Sequence, residues 1–207
     1  MAEIEWNQVR EFTLGTVARP ATRKRNRIEW GPQASRVPQG PKNDRVFTPC
    51  AYVASGGRLS LDSEEKQLLC SVAETAENRF EVRDEQAGLI GTITRVPSGR
   101  PLLRPTWRID QPGRPEIVGR TEWLSGQPKE LAAKAAGRLF IGVLDAISSA
   151  GDEGGDQATK QRVLEWRAGD EIVMLSEGSK SVSVKADWLD RRLPFAYALI
   201  AEWSQRT

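Results

Sequence analysis

The chain has 207 residues, of which 39% are hydrophobic, so it can bury one substantial core as one domain or two small ones. It contains no histidine, which excludes Ser-His-Asp and Cys-His nucleophilic sites, histidine general bases and ordinary zinc sites, whereas carboxylate-based hydrolysis and lysine chemistry stay open. The formal net charge is +2, so any strong electrostatic attraction must come from the distribution of charges along the chain.

The first residues, from Met1 to Trp6, contain neither a basic segment nor an apolar run, and they therefore predict no signal peptide. We expect a cytoplasmic protein in which Cys50 and Cys70 are reduced, although a bridge between them stays open. Their spacing does not fit a metal site, and the chain has no P-loop, no GxGxxG and no EF-hand loop. The sequence thus predicts neither a cofactor nor a metal.

Residues 1–45 are predicted to form a basic, proline-rich N-terminal arm. A short amphipathic segment that includes Phe12 and Leu14 could dock as a strand or a helix, and the prolines and basic residues after it favour an extended or poorly ordered chain. Such a basic cluster binds anionic lipid or nucleic acid, or it is a solvated linker. The candidate anion- and lipid-binding residues are Arg19, Arg23, Lys24, Arg25 and Arg27.

From residue 80 onward the pattern becomes that of repeated β-hairpins. An aromatic-x-apolar strand leads to an Asp and a Gly-containing turn, and an Ile/Val-Gly strand then leads away. The pattern occurs in residues 80–95 and 107–123, and more loosely in residues 163–188. Repeated hairpins predict an antiparallel meander, and hence a barrel or a sandwich.

Between the second and third copies, apolar residues at i, i+4 spacing predict a helix around residues 128–149. Pro128 is well placed near its start, and Gly151 follows its end. The residues on its apolar face are Leu131, Ala135, Leu139, Val143 and Ile147.

The run from Leu193 to Trp203 is apolar on nearly every face, so a helix there must be surrounded by lipid or by protein. It is about half as long as the roughly 20 residues that a membrane span needs. We therefore predict a buried helix over residues 191–205, with Asp190 as its N-cap and Pro194 in its first turn.

Two further groups of residues have competing interpretations. Asp84 and Asp110 occupy equivalent turns, where Asp is ordinary turn chemistry, although a carboxylate-based enzyme is conceivable. The tryptophans at strand positions favour core packing over stacking platforms for a ligand. These tryptophans are Trp107, Trp123, Trp166 and Trp188.

A meander of hairpins followed by a final, wholly apolar helix resembles the tubby-like superfamily, which includes tubby C-terminal domains, phospholipid scramblases and LURP-one-related proteins. Residues 80–95, 107–123 and 184–199 carry the resemblance, which assigns residues 46–207 to the barrel domain. It implies a closed β-barrel with the C-terminal helix threaded through its lumen. The chain lacks the cysteine-rich palmitoylation cluster and acidic calcium loop of the scramblases, and a clear counterpart of the tubby phosphoinositide signature.

The sequence as a whole predicts a mostly β (α+β) protein, an antiparallel β-barrel of repeated hairpins that encloses a hydrophobic C-terminal helix. We expect a non-enzymatic binding or adaptor module, with no transmembrane span, that meets an anionic phospholipid surface through the basic arm or binds a protein partner. The alternatives are nucleic-acid binding through the same arm, an enzyme that uses Asp84 and Asp110, and a structural subunit of a larger assembly. The oligomeric state stays open.

Overall fold

The computed structural model describes residues 4–18, 30–41, 44–97, 106–120, 163–178 and 181–206. The strands within them are Glu11–Ala18 (β1), Trp30–Gln39 (β2), Val46–Ala54 (β3), Arg58–Ser60 (β4), Leu68–Ala76 (β5), Arg79–Arg83 (β6), Leu89–Val96 (β7), Thr106–Asp110 (β8), Ile117–Arg120 (β9), Leu164–Ala168 (β10), Glu171–Glu177 (β11) and Ser181–Val184 (β12). Each strand pairs antiparallel with the next, and β12 pairs with β1, so the predicted barrel is confirmed and is closed.

The three predicted hairpins are confirmed as β6–β7, β8–β9 and β10–β11, the last followed by β12. The recurring Ile/Val-Gly pattern has a packing cause. A Cβ on Gly91 would come within 2.5 Å of the Asp110 carbonyl and 3.0 Å of the Leu193 side chain, and one on Gly119 within 2.7 Å of the Trp166 ring. Glycine at these equivalent positions therefore permits the close approach of β8 to Gly91 and leaves room for Leu193 and Trp166 inside the barrel.

The predicted boundary at residue 46 needs correction, because β1 and β2 are strands of the barrel. β1 pairs with both β12 and β2, and it therefore closes the barrel. Phe12 of β1 is fully buried, and its ring centroid lies 4.7 Å from that of Phe195. The prolines and arginines of β2 favoured an extended arm, but pairing with β1 and β3 decides the structure there, as tertiary context often overrides local β-propensity. The barrel therefore begins at Glu11.

The C-terminal helix, Arg192–Arg206 (α1), is enclosed by the barrel as predicted. Its residues 195–201 are at most 6% exposed, on all sides of the helix. The Tyr197 ring packs edge-on against Trp107 of β8 at 5.3 Å and against Trp166 of β10 at 4.6 Å, while the first turn packs on β7. The helix thus fills the barrel and forms the centre of its core.

The start of α1 is fixed by side-chain hydrogen bonds. Asp190 Oδ1 accepts a hydrogen bond from the Arg192 amide at 3.0 Å, which confirms the predicted cap. The Gln111 side chain, in the β8–β9 connection, donates to the Trp188 carbonyl at 3.3 Å and accepts from the Asp190 amide at 3.1 Å. The residues that lead into the helix are therefore attached to a hairpin turn far away in sequence.

Other sequence predictions have separate outcomes. Trp107 and Trp166 are buried as expected, and Trp188 is partly buried against the core. The predicted helix around residues 128–149 and Trp123 lie outside the described residues. In the part of the chain that the structure describes, no helix has the length and apolar character that a membrane crossing requires.

Candidate binding surfaces at the two barrel ends

The interior of the barrel is a packed core in which three polar side chains bond to one another. Trp166 Nε1 donates a hydrogen bond to Ser176 Oγ at 2.9 Å, and Ser176 Oγ donates to the Tyr197 hydroxyl at 3.3 Å. Burial raises the pKa of Tyr197 to about 12, so this hydroxyl stays neutral. Since the helix and these side chains fill the lumen, groups that could bind a partner lie on the outer surface.

Because successive strands run in opposite directions, their connections fall alternately at two ends of the barrel. The lower end is formed by residues 4–10, 40–41, 44–45, 61–67, 84–88, 111–116, 169–170 and 185–191, and α1 begins there. The upper end is where β1 ends and β2 begins. Trp203, near the end of α1, lies beside Gly57 in the β3–β4 connection at this upper end.

The five predicted site residues, Arg19, Arg23, Lys24, Arg25 and Arg27, lie outside the described residues. The strands that flank them are described, and Ala18 pairs with Trp30. Both ends of this basic stretch are therefore held next to each other at the upper end. The strand ends that lead into residues 98–105, 121–162 and 179–180 lie at the same end.

The lower end is acidic among the described residues, because exposed carboxylates outnumber exposed basic groups in its connections. The exposed carboxylates are Glu5, Asp44, Glu64, Glu65, Glu85, Glu116, Asp170 and Asp187. The exposed basic residues there are Arg10, Lys66, Arg114 and Lys185. The net charge of the chain is small because the acidic lower end is offset by basic residues elsewhere, among them the basic stretch between β1 and β2.

Asp84 and Asp110 both lie at the lower end, on neighbouring hairpins. Asp84 Oδ1 accepts hydrogen bonds from the amides of Gln86 at 3.0 Å and Gly88 at 2.6 Å, which is the turn role of an Asp side chain. Asp110 Oδ2 accepts one from Thr92 Oγ1 at 3.4 Å. Among the described residues, no group of Cys, Asp and Glu side chains could hold a metal ion.

Cys50 and Cys70 are free thiols and are not bridged. Burial raises the pKa of each thiol to about 12. Because the thiolate is the reactive form, both side chains are protected by their environment as well as by their burial.

We expect the two thiols to react with a disulfide reagent such as Ellman's reagent only after unfolding. At pH 8 a thiol of pKa about 12 is roughly 1 part in 10⁴ thiolate, against about a quarter for an ordinary cysteine. Labelling of the native protein should be more than about 10³-fold slower than labelling in urea, and it should speed up as the pH rises. Rapid labelling of either thiol without denaturant would contradict the buried placement.

Comparison of the chain with protein-family models, with curated proteins and with solved structures found no match.

Proposed function

We propose that this protein is a non-enzymatic binding module of the cytoplasm that docks on anionic phospholipid surfaces through Arg19, Arg23, Lys24, Arg25 and Arg27. The supporting observation is the pairing of Ala18 with Trp30, which holds both ends of the basic stretch at the upper end. Charges gathered at one end act together on a flat anionic surface, and each contributes about 1 kcal/mol near it. The acidic lower end would be repelled, so the barrel would bind in one orientation.

We also propose that the chain is a distant member of the tubby-like superfamily. The closed antiparallel barrel and the enclosed C-terminal helix support this proposal, since they are the architecture that the resemblance implies. The membrane roles of that superfamily are consistent with docking on lipid. Because α1 fills the lumen, we place the contact with lipid on the outside of the barrel.

The test compares the wild type with the triple variant Arg23→Gln, Lys24→Gln, Arg25→Gln on anionic and neutral vesicles. Removing three charges should weaken the free energy of membrane binding by about 3 kcal/mol. Partitioning onto anionic vesicles should therefore fall on the order of 100-fold at low salt. Binding should also weaken from about 10 mM to 150 mM salt, as screening shortens the range of the attraction.

The matched control is Lys66→Gln, Arg114→Gln, Lys185→Gln, which removes the same amount of charge from exposed positions at the lower end. It should pellet with anionic vesicles nearly as well as the wild type. Equal losses in both triple variants would show that net charge, and not the basic stretch, drives binding. No pelleting of the wild type under any condition would reject the lipid proposal and leave a protein partner or nucleic acid as the target.

Nucleic-acid binding is the second candidate, because phosphate groups are recognised by the same basic side chains. It predicts binding to single-stranded or duplex DNA that persists at about 150 mM salt without any binding to vesicles. The salt dependence, as the slope of log K against log salt concentration, should fall by about 3 in the Arg23, Lys24, Arg25 variant.

A further inference from the structure

A pocket of about 250 Å³ lies at the lower end, between the short 3-10 helix Trp6–Gln8, the β8–β9 connection and the residues before α1. Two indoles, those of Trp6 and Trp188, line it together with Arg191. The volume is below the range of roughly 300–1,000 Å³ typical of drug-sized ligands, so the pocket suits a small molecule.

The Arg191 guanidinium is buried, since its side chain is 6% exposed. Its Nη1 atom donates hydrogen bonds to the carbonyls of Ala186 at 3.0 Å and Leu189 at 2.6 Å. Nε has no hydrogen-bond partner among the described residues, and Nη2 lies 3.7 Å from the carboxylate of Asp187. Nε thus lacks a partner, and the ion pair of Nη2 is long, which is costly for a buried cation unless a ligand completes it. Nε is also shielded from solvent, so a ligand would reach this edge only once the Asp187 side chain moves aside.

The charged groups that act on Arg191 are one further guanidinium, that of Arg10, and the carboxylates of Asp187 and Asp190. Asp187 also pairs with Arg10, so that two guanidiniums share one carboxylate. The Asp187 side chain is 76% exposed and is therefore free to rotate away from Arg191 without unpacking the core. Burial, and then the neighbouring Arg10, lower the pKa of Arg191, and the carboxylates of Asp187 and Asp190 only partly oppose this shift.

Some of the other polar groups that line the pocket already make hydrogen bonds, and others do not. Gln111 holds the residues before α1, and Asp190 caps the helix and binds Arg192. The exposed Asn7 amide makes no hydrogen bond within the described residues. The Trp188 indole N–H donates to the Glu171 carboxylate at 3.2 Å. Arg191 Nε and the Asn7 amide are thus groups of the pocket that have no hydrogen-bond partner among the described residues.

We propose that this pocket binds a small carboxylate that carries an apolar, preferably aromatic, body. The two carboxylate oxygens would accept hydrogen bonds from Nε and Nη2 of Arg191, in the side-on geometry that a planar guanidinium offers a planar carboxylate. Asp187 would remain with Arg10, and the apolar body would contact Trp6 and Trp188. This site lies at the opposite end from the basic stretch, so it is independent of the proposed docking on lipid.

The test is a titration of the full chain with phenylacetate, followed by the backbone and indole N–H signals in ¹H–¹⁵N NMR. We expect saturable shifts at Asn7, Trp188 and Arg191 with a dissociation constant roughly in the millimolar range. Phenylacetamide, which has the same shape without the charge, should bind at least about 10-fold more weakly. Equal binding of phenylacetamide, or stronger binding of inorganic phosphate, would reject the carboxylate assignment.

The decisive variant is Asp187→Asn, because it removes the internal competitor for Arg191 without touching the core. It should bind phenylacetate several-fold more tightly than the wild type. The control Asp170→Asn removes an exposed carboxylate of the same end that does not line the pocket, and it should leave binding unchanged. An unchanged affinity in Asp187→Asn, or equal gains in both variants, would overturn the proposal.

Discussion

Removal of residues 1–45 is expected to abolish the folded barrel. The deletion removes β1 and β2, so β12 and β3 lose the strands with which they pair and the barrel opens. It also removes Phe12, whose burial against Phe195 corresponds to about 3–5 kcal/mol in a substitution by alanine. Since a domain of this kind is stable by about 5–15 kcal/mol, the loss of two strands exceeds what the remaining structure can offset.

The measurement is urea unfolding of the truncated chain followed by far- and near-ultraviolet circular dichroism. The deletion should show no cooperative transition and no near-ultraviolet signal from fixed aromatic rings. The Arg23→Gln, Lys24→Gln, Arg25→Gln variant is the control, and it should unfold like the wild type because its substitutions leave both strands in place. A truncated chain that unfolds cooperatively would show that residues 46–207 fold alone.

The substitution Leu199→Ala in α1 is expected to cost about 3 kcal/mol of the free energy of unfolding. Leu199 is fully buried in the barrel, and shortening it leaves a cavity that the surrounding closed sheet cannot readily collapse around. The matched control Leu89→Ala makes the same change at a leucine that is 45% exposed, and it should cost less than about 1 kcal/mol.

Both variants can be compared with the wild type by the midpoint of urea unfolding, provided that the slope of the transition is unchanged. A cost for Leu199→Ala that is no larger than the cost for Leu89→Ala would mean that α1 does not lie in the core. That result would also remove the reason for seeking ligand-binding groups on the outer surface.

The hairpins and the final helix could be predicted from the sequence because their signals are local. Alternation, a turn with Asp and Gly, and a run that is apolar all round are each contained within a few residues. Gly91 and Gly119 recur in the pattern because of tertiary contacts, with the Asp110 carbonyl and Leu193 at Gly91 and with the Trp166 ring at Gly119.

The strand β2 could not be recognised because its residues carry no strand pattern of their own. Pro32, Arg36 and Pro38 favour an irregular chain, and the strand exists because β1 and β3 lie on either side of it. The closure of β1 on β12 joins residues at opposite ends of the chain, which no local pattern reports.

The proposed binding surfaces also differ in whether the sequence alone could predict them. The basic stretch was visible as a run of charges, whereas the acidic lower end is assembled from short connections that only the strand order brings together. The pocket is assembled likewise from Trp6, Gln111 and residues 187–191, which are far apart in the chain. A buried Arg191 with an unpartnered Nε has no sequence signature, since Arg192 beside it is engaged by the helix cap.

Native-state hydrogen exchange tests most directly whether α1 is enclosed by the barrel and belongs to its core. The amides of residues 196–200 should exchange only through global unfolding, with a free energy of opening equal to that from urea unfolding and equal to that of β11. Exchange of these helix amides through a lower-energy local opening, while β11 stays protected, would contradict the claim.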